Sequence, residues 1–531
     1  MWIRPRFGLL YLKATLCHVV LFGRAILLLN GLFDHLYRTD PISAEMRFAG
    51  PLPLDARFTT GVDDDRPLVG NETKANLSAA TSLRFSAHQT AAQFLEEFSL
   101  YGSGRGMNAS PNLTAFYHQI GCDQGWKGHF IREFVKDATG LYSGSYVGTG
   151  IVDREQADIR IVVTSCAICH FGRVAGKDVP GLGNKNIDPY ALGEWITTAE
   201  SGLSWLPSTS SSPISRALQA NSLTMAERLR SNGDSNTTQG LVPSALVMRW
   251  FYEQSQVPFP TTTPGAVKVP AFWGYGEKIA SGIFCDGFAD GHDSAWAGMV
   301  ELAAGNSTEN IRRNLDRIEH AEALFGSLLP PAYPQPINPV MASRGHSVYK
   351  EHCQQCHGQY ARDEYGWPIY ETPIHIACEE VGTDPDRLNR VTAQGFKLIA
   401  KSPLNDVIRT HPDYRRGYFA PRLEGIWARF PYLHNASVPN ISALLTQPEL
   451  RPTVFDLTDA GELYRFDSER LGLSDASPQP SIFRQLSGKF RSESRATYDT
   501  RRLGQSNAGH NFGTDLSIPD KKDLIEYLKT L

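Results

Sequence analysis

Cysteine is scarce in this chain, with eight among 531 residues. That is far too few for a scaffold built on disulfides, so stability has to come from packed apolar cores. Neither sign of charge dominates: 52 Lys and Arg stand against 56 Asp and Glu, for a formal charge of -4. No basic field exists to steer a polyanion, which excludes nucleic acid as a partner. Methionine is rare as well, and none follows Met341. Clean apolar runs of spanning length are missing from the body of the chain, which is therefore expected to be soluble. The start, MWIRPRFGLLYLKATLCHVVLFGRAILLLNGLF, joins early arginines to apolar residues as a signal peptide or amino-terminal anchor does. Lys13 and Arg24 divide it into pieces of about ten residues, short of the ~20 that a spanning helix needs.

What is present suggests several units. The length fits roughly three of ordinary domain size. Residues 1–38 read as the signal peptide or anchor, 39–150 as an amino-terminal extension with one helix at Ala87–Phe98, and 151–327 as a first domain. Within the first domain IRIVVTS reads as an extended piece and WLPSTSSSPIS as a surface loop. Residues 328–339, LLPPAYPQPINP, hold five prolines, which forbid continuous helix and favour an extended linker. In the second domain, 340–531, VMASRGHSVYKEH reads as a helix. A terminal helix follows Ser517, which can cap it, and Leu524, Tyr527, Leu528 and Leu531 form its apolar stripe.

Four of the eight cysteines sit in two copies of one pentad, CAICH at Cys166–His170 and CQQCH at Cys353–His357. Two thiols separated by two residues reach both vinyl groups of one haem, and the adjacent histidine turns back to the iron. The competing readings are buried cysteines beside unrelated histidines, and a four-thiolate zinc site. The pentads lie more than 180 residues apart, whereas zinc knuckles usually stand ~15–20 residues apart. Two covalently bound haems c are therefore expected, on Cys166, Cys169, Cys353 and Cys356, with His170 and His357 as proximal ligands. Attachment of this kind places the protein in the periplasm or outside the cell, with an amino-terminal anchor as an option. Among Cys122, Cys285 and Cys378, buried thiols and a disulfide both stay open.

The sixth ligand of each iron separates electron carriage from catalysis. Met341 precedes the second pentad on the helix leading to it, so the second haem is not expected to be His/Met-ligated. His510, in the glycine-flanked loop GQSNAGHNFGTD, is the expected sixth ligand, ahead of His434 in PYLHNAS; His375 and His411 read as ordinary surface or core histidines. For the first haem, Met299, His292, His129 and His118 stand in no persuasive context, so an open iron is expected there. Of Trp273 and Trp296, which lie between the pentads, Trp273 is a possible electron relay, although a buried tryptophan is more often core. VPAFWGYGEKIASGIFCDGFADG and APRLEGIWARFPYLHNASVPN echo each other weakly after the two pentads, as a duplicated module would.

With these motifs the chain from about Ile159 to Leu531 resembles the di-haem cytochrome c peroxidase superfamily, which includes the methylamine dehydrogenase maturation enzymes and the rubber oxygenases. FCDGFADG and APRLEGIWARFPYLHNASV are similar to the family's paired segments. PPAYPQP, VGTDPDR and NAGHNFG look more like the rubber-oxygenase-like branch, and GFADGHDSAWAGM lacks the glutamate that peroxidases place nearby. The resemblance implies a mainly α fold of two cytochrome c-like haem domains with long loops. It implies a first haem that activates peroxide or dioxygen toward an unknown substrate and a second that exchanges electrons with a small redox protein or other donor or acceptor. The alternative is a non-catalytic di-haem electron carrier.

Overall fold

A computed structural model of the chain describes residues 148–151, 160–163, 167–188, 238–243, 245–259, 265–273, 283–284, 289–290, 312, 330–362, 364, 369–371, 373–390, 392–403, 415–476 and 495–531. The leader-like start, the helix expected at Ala87–Phe98 and the serine-rich WLPSTSSSPIS lie outside the described residues. Among those described, no helix is long and apolar enough to cross a membrane. The helices that position the site are α1 (Ala167–His170), α2 (Ala245–Gln254), α3 (Pro339–His352), α4 (Gln354–His357), α5 (Ala393–Ala400) and α6 (Ile518–Leu528). Every described sheet is a two-stranded antiparallel pair. The extended piece in IRIVVTS is one of these strands, Arg160–Val163 against Gly148–Ile151.

Helices α3 and α6 form where their ends are capped. Asn338 accepts from the amides of Val340 and Met341 ahead of Pro339, and Ser517 accepts from that of Asp520 ahead of Pro519. The two helices cross at Gly345, where a Cβ would lie 1.9 Å from the Asp523 carbonyl oxygen, so only glycine permits this approach. Arg344 closes the crossing with two bonds to the Asp523 carboxylate, at 2.5 and 2.8 Å. Leu524 and Leu528 are buried on the stripe, each contributing about 1.5–3 kcal/mol relative to exposure, while Tyr527 and Leu531 are partly buried beside them.

The proline-rich stretch is extended but packed down. Pro331 accepts from the Trp427 indole at 3.1 Å, Tyr333 lies against Trp427 and Phe466, and the Asn338 amide donates to Glu526. One hydrophobic cluster runs across this stretch, joining Leu182, Phe251 and Trp273 to Tyr349, Ile399 and Trp427. Helix α2 packs on α5, with the Tyr252 hydroxyl 2.7 Å from that of Thr392 and the Met248 methyl over Gly395.

Candidate functional site

Helix α3 delivers the second pentad. Cys353 ends α3 and starts the single turn α4, whose His357 amide donates to the Cys353 carbonyl at 3.0 Å. Gly358, at φ 71°, turns the chain away, and its carbonyl accepts from Tyr349. His357 then points its Nδ1 at the Pro421 carbonyl, 2.8 Å away. A carbonyl only accepts, so Nδ1 carries the proton and Nε2 keeps a lone pair for a metal. The acceptor is held in turn: Tyr360 donates to the His357 carbonyl and accepts from the Leu423 amide, and Arg422 reaches the Gln359 carbonyl while pairing with Glu424.

His510 comes from the far side of the chain. Gly509 at φ 79° and His510 at φ 48° both take left-handed conformations, and the His510 amide donates to the Val381 carbonyl at 2.8 Å. A Cβ on residue 509 would lie 2.3 Å from the Gly382 carbonyl carbon, so the glycine lets this loop lie against the Val381–Thr383 turn. The His510 ring stands 6.4 Å from the His357 ring, centre to centre, at 40°. Two imidazoles sharing one iron at ordinary metal–nitrogen distances need ring centres roughly 6 Å apart, so the pair fits a haem iron between them. Burial pushes the His510 imidazole down to about 4, with neighbouring His357 and Arg451 adding to the effect. Burial also lowers His357, opposed by its bond to Pro421. Both stay neutral, the form that binds metal. Among the described residues no group of three or more His, Cys, Asp or Glu is placed to hold a metal.

The first pentad is built the same way as far as it is described; Cys166 lies outside the described residues. The Cys169 carbonyl accepts from Asn184 and the His170 carbonyl from Gly181, each at 2.8 Å. The hairpin Phe171–Val174 with Lys177–Pro180 follows directly, turning through Ala175 and Gly176 at positive φ. His170 Nδ1 donates to the Pro270 carbonyl at 3.0 Å, and its ring stacks on Phe272 at 3.8 Å. Pro270 and Pro421 fall in the two echoing segments, so the faint sequence repeat corresponds to one repeated role: a proline carbonyl that orients the pentad histidine. Burial raises the Cys169 thiol to about 12 and Cys353 to about 11, and also raises Cys356.

Trp273, 2% exposed, joins the two halves. Three residues beyond Pro270, it donates its indole proton to the Glu424 carbonyl at 2.9 Å, three residues beyond Pro421. Gly425, at φ 61°, leaves room for it, since a Cβ there would lie 2.7 Å from the indole nitrogen. Lys268 adds to the joint: its amide donates to the His434 carbonyl, and its ammonium to the carbonyls of Arg429 and Pro431. Lys185, also buried, donates to the carbonyls of Arg173 and Ala428.

Of the other candidates, His434 and His375 have contacts of their own. His434 stacks on Tyr418 at 5.0 Å with its Nε2 buried and unbonded. His375 sits in a strand and bonds the Arg415 carbonyl. His118, His129, His292, Met299, His411 and Trp296 lie outside the described residues. Cys378 is buried and free. Sequence reasoning passed over Arg451, whose guanidinium bonds the loop that carries His510. It also passed over Pro270, Pro421, Lys185 and Lys268; only the two prolines left a trace, in the echo.

Residues 417–456 match the family of RoxA-like, cytochrome c-like domains. This region is cytochrome c-like. It spans Pro421, which backs His357, Arg451, which bonds the His510 carbonyl, and the PYLHNAS segment between them. A cytochrome c-like region beside a CxxCH pentad points to covalently bound haem c, and the histidine pair fits that group. Two curated relatives are similar over longer stretches. The uncharacterized protein y4iJ of Sinorhizobium fredii is 30% identical over 274 residues, 40% of this chain and 43% of that protein. The uncharacterized protein y4iM of the same organism is 30% identical over 251 residues, 38% of this chain and 51% of its own. The matches thus cover about half the length of each relative or less.

Proposed function

We propose that this protein is an exported di-haem c-type oxidoreductase of mainly α fold, with two cytochrome c-like domains related to the rubber-oxygenase-like branch. Its first site, Cys166, Cys169 and His170, activates peroxide or dioxygen, and its second, Cys353, Cys356 and His357, exchanges electrons with a redox partner. The observation that carries this reading is the opposed pair His357 and His510. A bound haem c supplies one-electron chemistry, and where its sixth position is open it also activates peroxide or dioxygen.

The residues divide the work. Cys353 and Cys356 would anchor the second group, and His357 and His510, whose rings lie 6.4 Å apart, would hold it between them. A group held by a histidine on each side would suit electron transfer, because no ligand would have to leave when the charge changes. In the first site Pro270 and Phe272 fix the His170 ring. Trp273, three residues beyond one proline clamp and bonded to the residue three beyond the other, is the proposed relay. Covalent haem attachment supports a periplasmic or secreted location.

The test is electron paramagnetic resonance of the ferric protein, after two haems per chain have been counted. One high-spin signal beside one low-spin bis-histidine signal is expected. Two low-spin signals would remove the open first site and leave a di-haem electron carrier.

A further inference from the structure

Arg451 is a buried cation, 3% exposed, with an unusual set of partners. Its Nε donates to the Thr446 carbonyl at 2.9 Å. One terminal nitrogen donates to the carbonyls of Asn507 and Gly509, at 2.6 and 2.8 Å. The other donates to those of Leu444 and His510, at 3.2 and 3.1 Å. A guanidinium has five N–H groups, and here each meets one main-chain carbonyl. Two acceptors belong to segment 444–446 and three to the loop 507–510, so one side chain ties the loop to the body of the domain. None of the five is a carboxylate; Glu449 acts on the charge through space, without a bond among the five, and the guanidinium lies close to His510.

The loop needs such a tie. His510 holds φ at 48°, which a non-glycine residue rarely adopts, and its own amide makes one bond, to Val381. Helix α6 begins only at Ile518, too far along to fix the ring. We propose that Arg451 is the positioning residue that holds His510 opposite His357, and that its positive charge beside that loop favours the reduced state of the second site. This rests on His510 being the second haem's sixth ligand.

The experiment compares Arg451→Gln, Arg451→Lys and His510→Ala in the full-length, haem-loaded protein. It follows the ferric spin state, the uptake of added imidazole and the reduction potential of the second haem. His510→Ala should convert that haem to high spin. Arg451→Gln should lose part of the low-spin signal and bind imidazole at least about tenfold more tightly than the wild type, with a more negative potential. Arg451→Lys, with three donors for five carbonyls, should loosen the ligand similarly while keeping the potential close to that of the wild type.

If His510→Ala turns high-spin while Arg451→Gln keeps the wild-type spin state, imidazole resistance and potential, Arg451 has no positioning role and the ligand assignment stands. If His510→Ala stays low-spin, the ligand assignment fails and the role of Arg451 falls with it. Should Arg451→Gln not accumulate, Arg451→Lys decides: unchanged imidazole affinity in that variant overturns the proposal.

Discussion

Each pentad histidine gives its Nδ1 proton to a proline carbonyl, and proline is a suitable source. It has no amide proton to compete for the site, and its fixed φ limits how far the carbonyl can swing. The approach of His357 and His510 was legible in the sequence, because the pentad and the glycine-flanked loop mark both histidines out. The proline clamps and Arg451 were not, since a main-chain acceptor leaves no side-chain signature. Trp273→Phe keeps the buried ring but leaves the Glu424 carbonyl unbonded; it should cost about 1–3 kcal/mol by denaturant unfolding and slow electron exchange between the sites. His434 gives a separate, pH-dependent expectation. Burial first, then Arg387 and Lys268, push its imidazole down to about 3. The unfolded chain takes up this proton below about 6.5 whereas the folded one refuses it, so stability should fall as pH drops from about 6.5 toward 3. The slope from this group is at most about 1.4 kcal/mol per pH unit, and urea midpoints at pH 7 and 4.5 should lie closer together in His434→Gln than in the wild type.

Among the elements, α6 was the most readable, because Ser517 and Pro519 mark its first turn plainly; α3 was read from Val340, and its cap Asn338 and first residue Pro339 were assigned to the linker. Their crossing was not. Gly345 reads as a weak spot in a helix, and only the approach of the Asp523 backbone shows that the missing side chain is a requirement. Gly345→Ala should separate the two helices and destabilise the protein by about 1–3 kcal/mol, with loss of haem from the second site. Thermal unfolding together with a haem-to-protein absorbance ratio checks both parts. A variant of wild-type stability and full haem content would mean that the helices tolerate a wider crossing. The short strands were less legible: pairs such as His375–Ala377 with Gly417–Phe419 join segments some 40 residues apart and are too short to show an alternation of their own.

On the scale of the molecule, the proline-rich stretch marked a change in local structure without dividing the core. Trp273, Lys185 and Lys268 from one side meet carbonyls from the other, and α2 lies on α5. Nothing local in either segment announces a contact of that kind. A fragment of residues 340–531 would uncover Trp427, Phe430 and Tyr432 and should not give a monodisperse soluble species on size exclusion, whereas the full chain should. The joint also bears on the order of assembly. Pro421 lies 64 residues beyond the histidine it clamps and Pro270 lies 100 beyond, while the Trp273–Glu424 bond closes a span of 151. Loop-closure entropy grows with span, and a nascent chain offers its amino-terminal partners first. Each clamp can therefore close with residues from its own side before the longer span is bridged. The tryptophan latch then closes after the two clamps, and, on the proposed function, the pentads pass through an interval in which each is locally shaped yet still open to the machinery that would load a haem.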